Sequence, residues 1–312
     1  MSDVMSDAPR PRAPLPITIV MPAYGRPHLV ARSLPHCVRQ PVAEILVVDD
    51  GTPAPLDAAM AQAVRDGAAG DPRVRLLRLA RNGGSCAARN AGAAAATSDW
   101  ILFVDDDALL ADGYAATLLD HAAKHGADAA AGRRLWLDDG ETPEQALARR
   151  TRRVSAEQLI DRRHFWFDDE ATFDDDLLVP MACAILLVRR RWFTQVRYDE
   201  QRYRKSGFRE ETDFQVALQR HGAKLLACPH TACFNLSKRE MGRAGGQRRG
   251  QLLRYEWNVL RNDARFRAKH FAALQRELGC APGATPWLGA LCHYFAFRVP
   301  SKVRHLLGRA GP

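Results

Sequence analysis

The first hundred residues alternate short apolar runs with segments that suit helices. Four apolar runs have the length of buried strands: Ile17–Met21, Ala43–Val48, Val74–Leu79 and Trp100–Val104. Three intervening segments have helical spacing or a helix-forming composition: Leu29–Val38, Met60–Val64 and Ser85–Ala96. Pro35 is expected to kink the first helix, and Ser85 can cap the last. This alternation predicts an α/β fold with a mainly parallel sheet and helices on both faces.

Three of the predicted strands end in polar residues that should share one edge of the sheet. These are Tyr24, the pair Asp49-Asp50 and the run Asp105 to Asp107. Open α/β sheets bind ligands at the carboxyl ends of their strands. The loop Asn82-Gly83-Gly84 also precedes a helix whose N-terminal amides can hold an anion, although such a loop alone more often forms a simple turn. Together these features indicate a nucleotide-binding edge.

The run Asp105-Asp106-Asp107 follows a strand that should be buried on both faces. Three neighbouring carboxylates repel one another unless a proton or a cation joins them. A divalent ion, Mg²⁺ or Mn²⁺, held by one or two of them and by phosphate oxygens, would relieve this repulsion. The alternative is a solvated acidic turn, but the apolar strand directly before the run favours the metal-binding interpretation.

The second half of the chain has a looser pattern. Helices are predicted at Tyr114–His125, as one or two basic helices over Thr142–Arg163, and as a basic helix at Leu252–His270. Strands are predicted within Ala129–Leu135, as a strand-like run at Leu177–Val188, and at Lys224–Cys228, which is followed by a loop or edge strand to Leu236. The last helix should carry Trp257, Leu260 and Phe266 on one side. The acidic runs 168–170 and 174–176 could bind a second metal, but they are typical of a solvated loop, and we assign them no role.

A second group of acids, Glu210, Glu211 and Asp213, falls in the first turn of a helix that carries Phe214 and Leu218 on one face. The helix dipole alone favours acids there. The functional alternative is that one of them is a general base, which accepts a hydroxyl proton near neutral pH.

Most of the excess positive charge of the chain lies in one C-terminal segment. The 312 residues carry a formal net charge of +9. Residues 237–277 hold eleven Lys or Arg against four Asp or Glu, an excess of 11 − 4 = 7 positive charges. Such a segment attracts phosphates, nucleic acid or an anionic membrane, or it is simply a solvated helical face.

The seven cysteines are scattered, odd in number and form no CxxC pair, which favours a reducing, cytoplasmic compartment and argues against structural zinc. Residues 1–16 are expected to be a disordered leader and not a signal peptide. No apolar run reaches the roughly 18 residues of a membrane span. The best apolar patch, Trp287 to Val299, is broken by His293 and Arg298.

With these motifs assembled, the chain resembles the family 2 glycosyltransferases of the GT-A fold, from about Ile17 to Leu236. Five segments carry the resemblance in the family's order: Pro22-Ala23-Tyr24, Val47-Val48-Asp49-Asp50-Gly51-Thr52, Arg81-Asn82-Gly83-Gly84 with Ala88-Arg89-Asn90, Val104-Asp105-Asp106-Asp107, and Gly207-Phe208-Arg209-Glu210-Glu211-Thr212-Asp213. The resemblance implies a nucleotide-binding half at 17–110, an acceptor half at 111–236 and a basic helical extension at 237–312.

The resemblance also assigns roles. It implies donor-binding residues at Pro22, Ala23, Tyr24, Asp49, Asp50, Asn82, Gly83, Arg89, Asn90, Asp105 and Asp106. It implies metal ligation by Asp107, with Asp105 and Asn235 as further ligands. Glu211 aligns with the catalytic base, Glu210 is its rival, and Asp213 belongs to the same group.

Two departures from the family pattern affect these roles. Asn235 stands where family members often carry a metal-binding His, and His230 lies nearby but out of register. Gln251-Leu252-Leu253-Arg254-Tyr255 is close to the QxxRW motif of processive synthases, which carry transmembrane helices. We interpret this match as chance, or at most as a phosphate-facing Arg254.

The reaction implied is metal-assisted, inverting transfer of a sugar from a nucleoside diphosphate to a hydroxyl of a glycan or lipid-linked glycan. A sugar-phosphate nucleotidyltransferase is the first alternative, but it needs a Gly-rich basic loop where this chain has Pro22 to Pro27. A nucleic-acid or membrane-surface binder without transfer activity is the second. The basic segment lacks a stacking-aromatic pattern, so we expect no nucleic-acid partner. Peripheral contact with an anionic membrane stays open.

Overall fold

A computed structural model describes residues 13–161, 165–203, 207–241, 252–277, 286–295 and 299. Residues 1–12 of the leader predicted at 1–16 and much of the segment 237–312 lie outside these residues, while Leu15 and Pro16 already belong to the first strand.

The described residues form strands β1 (Leu15–Ala23), β2 (Val42–Asp49), β3 (Val74–Arg78), β4 (Trp100–Phe103), β5 (Ala108–Leu110), β6 (Ala129–Trp136), β7 (Ile160–Asp161), β8 (Trp166–Phe167), β9 (Leu177–Leu178), β10 (Leu186–Arg189) and β11 (Leu225–Asn235).

The helices are α1 (Pro27–Val38), α2 (Leu56–Ala68), α3 (Ser85–Ala95), α4 (Tyr114–Lys124), α5 (Pro143–Arg149), α6 (Ala156–Leu159), α7 (Glu210–Arg220), α8 (Lys238–Met241), α9 (Leu252–Glu277) and α10 (Pro286–His293), with a 3₁₀ helix at Arg190–Thr194.

One large sheet organises the molecule in the order β3-β2-β1-β4-β10-β6-β11-β5, with β9 paired to β11. Strands β3, β2, β1 and β4 run parallel. Since β2 and β4 flank β1 on opposite sides, the order of connection reverses beside β1, where α/β sheets form ligand crevices. The predicted α/β class, with its mainly parallel sheet, is confirmed.

The second half of the sheet is mixed. Strand β10 is antiparallel to β4 and β6, whereas β11 is parallel to β6. The run predicted as one strand at Leu177–Val188 is two short strands, because β9 pairs with β11 and β10 lies between β4 and β6. The segment after Cys228, predicted as a loop or an edge strand, continues β11 to Asn235 between β6 and β5, with an irregularity between Ala227 and Ala232.

The basic stretch predicted as one or two helices over 142–163 forms a pair of short helices, α5 and α6, each beginning at a capping box, and then the strand β7. Residues 162 and 163 lie outside the described residues. One other local prediction was wrong. Trp257 and Phe266 do not share a face of α9, because Trp257 is 56% exposed while Phe266 is fully buried in the main core.

Helix α3 lies close against β1 because of Gly92. A methyl group at this position would come within 2.3 Å of Val20 Cγ1 and 3.1 Å of Val48 Cγ2. This close packing places the N-terminus of α3 beside the carboxyl ends of β1 and β2.

Candidate active site

A cavity of about 740 Å³ opens at the carboxyl ends of β1, β2 and β4. This volume falls in the range of ligand sites, about 300–1,000 Å³. Its walls come from these strand ends, the N-terminus of α3, strand β6, the start of α7 and the start of α9. Among the described lining residues, six carboxyl groups face four guanidinium groups.

The loop after β2 is fastened to the loop after β3. The carboxylate of Asp50 accepts hydrogen bonds of 2.8 Å from the backbone N–H groups of Gly83 and Gly84. Gly51 has φ +69°, and a side chain there would come within 2.5 Å of the backbone of Arg81. The two loops therefore form one wall of the cavity, with Asp50 and Asn82 in its lining.

Asp49, in contrast, is fully buried and does not line the cavity. Its Oδ1 accepts a hydrogen bond from the Thr52 backbone N–H at 3.0 Å, and its Oδ2 accepts one from Arg78 Nε at 2.9 Å. These contacts close the turn after β2 and join it to β3. The position of Asp49 thus supports a structural role more than contact with a ligand.

The three acids after β4 are divided among three arginines, Arg26, Arg89 and Arg134, that lie far apart in the sequence. Asp106 is buried and pairs with Arg26 through both oxygens. Burial, together with the charges of Asp107 and Asp105, raises the pKa of Asp106 to about 7 despite this arginine. Asp105 accepts hydrogen bonds from Arg89 at 2.8 Å and from Arg134 at 3.2 Å. Although burial alone would raise it, these guanidinium charges hold the pKa of Asp105 below its usual value.

Asp107 is the acid with the weakest cationic partner. Its Oδ1 accepts a hydrogen bond from Asn235 Nδ2 at 3.0 Å, and its Oδ2 lies 3.5 Å from Arg26 Nη1. Burial and the Asp105 charge raise the pKa of Asp107. A hard cation at this carboxylate would offset both effects. The carboxylate donors therefore fit a divalent metal.

The Asn235 side chain is not oriented to bind such a metal in this structure. It is fully buried, and its Oδ1 accepts a hydrogen bond from Arg134 Nε while its amide nitrogen faces Asp107. The amide would have to turn over to offer its oxygen to the same ion. His230 lies elsewhere, beside Asp176.

Arg89 joins the acids of β4 to those of α7. This buried guanidinium pairs with Glu210, and its Nη2 lies 2.8 Å from Asp105 and 3.2 Å from Glu211. Glu210 is also bound by Ser85 Oγ at 2.6 Å and is 2% exposed. Glu210 is therefore enclosed by α3, whereas Glu211 keeps a quarter of its side chain open to the cavity.

The surroundings of Glu211 suit a proton acceptor. Burial and the neighbouring Glu210 charge raise the pKa of Glu211 to about 8, against the opposing effect of Arg89. A carboxylate with a raised pKa binds a proton more strongly than an ordinary glutamate, which is the property a general base requires.

Helix α9 adds a wall that the sequence motifs did not assign. Arg254, Tyr255 and Asn258 line the cavity. Arg254 was interpreted from the sequence as a chance match or at most a phosphate-facing residue, and its side chain does reach this cavity.

The structure gathers most of the predicted site residues in the cavity lining: Pro22, Ala23, Tyr24, Asp50, Asn82, Arg89, Asp105, Asp106, Asp107, Glu210 and Glu211. Asp49, Gly83, Asn90, Asp213 and Asn235 are not in the lining. Gly83 is held by Asp50, and Asn90 binds the backbone of Tyr198.

Asp213 faces away from the cavity. It is 1% exposed and binds Lys269 Nζ at 2.6 Å and His270 Nε2 at 2.8 Å, both on α9. The prediction that Asp213 takes part in catalysis gains no support from this position, which instead anchors α9 on α7.

Sequence reasoning missed two cationic residues of the site, Arg26 and Arg134. Arg26 could have been predicted as a site residue, since it follows the first strand within the turn that carries Pro22, Ala23 and Tyr24. Arg134 could not have been predicted in this way, because it lies within β6, which is joined to β4 and so brought near Asp105 by the antiparallel strand β10.

The family model described as "Glycosyl transferase family 2" matches residues 18–196 of this chain. Among curated relatives, succinoglycan biosynthesis protein ExoO of Rhizobium meliloti is 38% identical over 93 residues, which are 29% of this chain and 25% of ExoO. The uncharacterized glycosyltransferase EpsJ of Bacillus subtilis is 31% identical over 114 residues, 36% of this chain and 32% of EpsJ. These matches span about a quarter to a third of the relatives' lengths.

Solved structures with a similar fold include TarS 1-349 of S. aureus in complex with UDP-GlcNAc, with a TM-score of 0.55 and 15% identity over 90% of this chain and 73% of that chain. The mannosyltransferase PcManGT of Pyrobaculum calidifontis, in complex with GDP-Man and Mn2+, has a TM-score of 0.54 and 19% identity over 98% of this chain and 78% of that chain. At these identities the likeness concerns the fold.

Proposed function

Because this chain belongs to glycosyl transferase family 2, we propose that its cavity binds a nucleoside-diphosphate sugar and transfers the sugar to an acceptor hydroxyl with inversion at the anomeric carbon. The observation that carries this proposal is the placement of Asp107 and Glu211 in the lining of one cavity. Arg89, which contacts both Asp105 and Glu211, holds the two acidic groups in a fixed relation.

The nucleoside portion is proposed to lie along the wall built by the loops after β1, β2 and β3. Tyr24 offers a partly exposed ring, Asp50 a carboxylate and Asn82 an amide in this wall. The diphosphate then lies towards Arg26 and Arg254, whose guanidinium groups suit phosphate oxygens. PcManGT and TarS were solved with GDP-Man and UDP-GlcNAc respectively, so we expect a donor of this class.

The sugar is proposed to lie between these phosphates and Glu211. The carboxylate of Glu211 accepts the proton of the acceptor hydroxyl, whose oxygen forms a bond to the anomeric carbon. The bond from that carbon to the diphosphate oxygen breaks on the opposite side, and the electron pair leaves with the diphosphate. Attack opposite the leaving group inverts the anomeric centre.

Asp107, with Asp105 beside it, would hold a Mg²⁺ or Mn²⁺ ion, and Asn235 would join them if its amide turned over. When bound, this ion supplies positive charge to the diphosphate. Arg26 and Arg254 act on the same phosphates and neutralise charge that develops as the leaving group departs.

A donor screen tests the proposal. Thermal shift and hydrolysis are measured with UDP-, GDP-, dTDP- and CMP-sugars, with and without Mn²⁺, for the wild type and for Asp107→Ala. Asp120→Asn, a change at an exposed acid of α4, is the matched control. We expect stabilisation by one donor class that depends on Mn²⁺, is weakened in Asp107→Ala and is retained in the control. Absence of binding and hydrolysis across the panel would contradict the proposed function.

The acceptor is proposed to be a glycan carried on a lipid. Helix α9 turns Arg254 and Tyr255 to the cavity, while Leu253 is 87% exposed beside them. Trp257 and Trp287 are also exposed, with their rings stacked at 5.9 Å between centroids. Exposed aromatic and apolar groups on a basic segment suit the surface of an anionic membrane. No helix among the described residues has the length and apolarity to cross a membrane.

Vesicle co-sedimentation tests the proposed contact of α9 with an anionic membrane. The wild type and the double variant Leu253→Ser/Trp257→Ser are mixed with vesicles containing anionic lipid. We expect the wild type to bind and the double variant to lose most binding, whereas Leu178→Ser, an exposed leucine on β9, binds normally. Equal sedimentation of all three proteins, or none, would favour a glycan acceptor free in solution.

A further inference from the structure

A cluster of histidine, aspartate and cysteine side chains lies outside the proposed active site. His121 is on α4 and His125 follows it, Asp176 is in the loop before β9, and Cys228 and His230 are on β11. None of these residues lines the cavity described above. The sequence separates them by up to 109 positions, so their spacing gave no metal-binding pattern.

The polar atoms of the cluster converge on Asp176. His121 Nδ1 lies 2.6 Å and His125 Nε2 lies 2.9 Å from Asp176 Oδ2. One ligand atom each from His121, Asp176 and Cys228 lie within 4.8 Å of one another. The ring of His230 packs against that of His121 at a tilt of 30°, with 4.7 Å between centroids, and its Nε2 is 4.0 Å from Asp176 Oδ1.

The second oxygen of Asp176 is the independent sign of a ligand. The Asp176 side chain is 3% exposed, and its Oδ1 has no hydrogen-bond partner among the described residues. A buried carboxylate oxygen without a partner is costly, whereas a cation bound to it would remove that cost. The loop that carries Asp176 was predicted from sequence to be solvated, and this buried side chain departs from that prediction.

We propose that His121, Asp176 and Cys228 bind a zinc ion, with His230 as the fourth ligand and His125 bound to the coordinating carboxylate. Imidazole, thiolate and carboxylate are the ligands that Zn²⁺ takes in tetrahedral sites, at about 2.0–2.3 Å. Ligand atoms around such an ion stand roughly 3–4 Å apart, so the site closes with shifts of about an ångström. A Mg²⁺ ion would not select a thiol.

The proposed ion would join α4, the loop before β9 and β11. Cys228 is buried and forms the floor, while the three imidazoles reach the surface and leave a path for the metal. The expected role is to fix the acceptor half of the protein, because binding to the folded state alone stabilises it.

Cobalt provides a direct readout, since a thiolate bound to Co²⁺ gives a charge-transfer absorption band. The full chain without a polyhistidine tag is stripped with a chelator, kept reduced with a phosphine and titrated with Co²⁺. We expect one equivalent to produce the band, Zn²⁺ to abolish it, and Zn²⁺ to raise the melting temperature.

Matched variants locate the site. Cys228→Ser and His121→Gln should lose the band, whereas Cys292→Ser, a change at an exposed cysteine on α10, should keep it. Asp107→Ala should also keep it, which separates this site from the one in the cavity. His121→Gln removes a partly exposed imidazole and serves where Cys228→Ser affects folding, as checked by circular dichroism. A wild type without the band, or a band that persists in both cluster variants, would overturn the proposal and leave only a His–Asp ion-pair network.

Discussion

Arg89 is the residue that connects the two halves of the site. Its guanidinium contacts the acid after β4 and both glutamates at the start of α7. Because it is buried, these ion pairs are little screened by solvent and restrict where the glutamates can lie. Of the two, Glu210 has its oxygens engaged by α3, and Glu211 alone combines an open side chain with a strongly raised pKa.

Glu211→Gln is expected to lower kcat by about 10²-fold or more, since loss of a general base typically costs 10²–10⁴-fold. Donor binding should change little, because the amide keeps the size of the side chain. Initial rates and donor affinity are measured together, with Glu144→Gln on the surface of α5 as control. Near-normal turnover in Glu211→Gln would remove this residue from the mechanism.

The pH dependence of kcat/KM should show the titration of the same group. A base acts when deprotonated, and burial raises the pKa of Glu211 to about 8. Activity should therefore rise with pH, with an inflection near 8 and not near the ordinary glutamate value. The residual activity of Glu211→Gln should lack this inflection. A flat wild-type profile between about pH 6 and 9 would be inconsistent with the assignment.

At the scale of elements, the site depends on how closely α3 approaches the sheet. The N-terminus of α3 contributes Ser85 and Arg89, and Gly92 one turn further on allows the helix to touch β1. The distance between α3 and β1 thus sets the position of Arg89 relative to the acids after β4.

Gly92→Ala is expected to destabilise the protein by about 1–3 kcal/mol, the usual cost of overpacking a core. The added methyl group would overlap Val20 Cγ1, at 2.3 Å, and the shift of α3 should also lower activity. Urea unfolding measures the change, with Ala94→Ser on the exposed face of α3 as control. Equal stability of Gly92→Ala and the wild type would show that α3 can move without cost.

At the scale of the whole molecule, α9 is part of the body of the protein and of the site. Asp213 binds Lys269 and His270 on α9, and Arg209 before α7 binds Asp263 on the same helix. These pairs fix the middle and second half of α9, and the helix carries Arg254 and Tyr255 near its N-terminal end to the cavity.

Asp213→Ala is expected to destabilise the protein by about 1–3 kcal/mol, since it leaves the buried polar groups of His270 and Tyr203 without the carboxylate that they contact. It should also raise the KM for the donor, because α9 would lose its anchor. Hydrogen exchange of α9 and steady-state kinetics check both effects against Asp120→Asn. If Asp213 instead took part in the chemical step, kcat would fall while α9 kept its protection from exchange.

The parallel half of the sheet could be predicted from the sequence because its signals are local. Apolar runs, helical spacing and acids at strand ends are properties of contiguous residues, and parallel strands bring those ends together by geometry. Asp50 and Asp105 to Asp107 could therefore be predicted to lie at one edge of the sheet, whereas Glu211 was chosen over its neighbours only through the family motif. The antiparallel insertion of β10 was not, since Leu186 to Arg189 carries no sign of which neighbours it pairs with.

Sequence by itself thus determined the fold class, the family and the acidic edge of the sheet, for these follow from local pattern and motif order. Only the tertiary structure decided which cations meet those acids, that Asp213 faces α9, and that His121, Asp176 and Cys228 converge. The physical reason is the same in each case. Such contacts join residues tens to more than a hundred positions apart, and the packing of whole elements, not the residues near them in sequence, brings their side chains within a few ångströms.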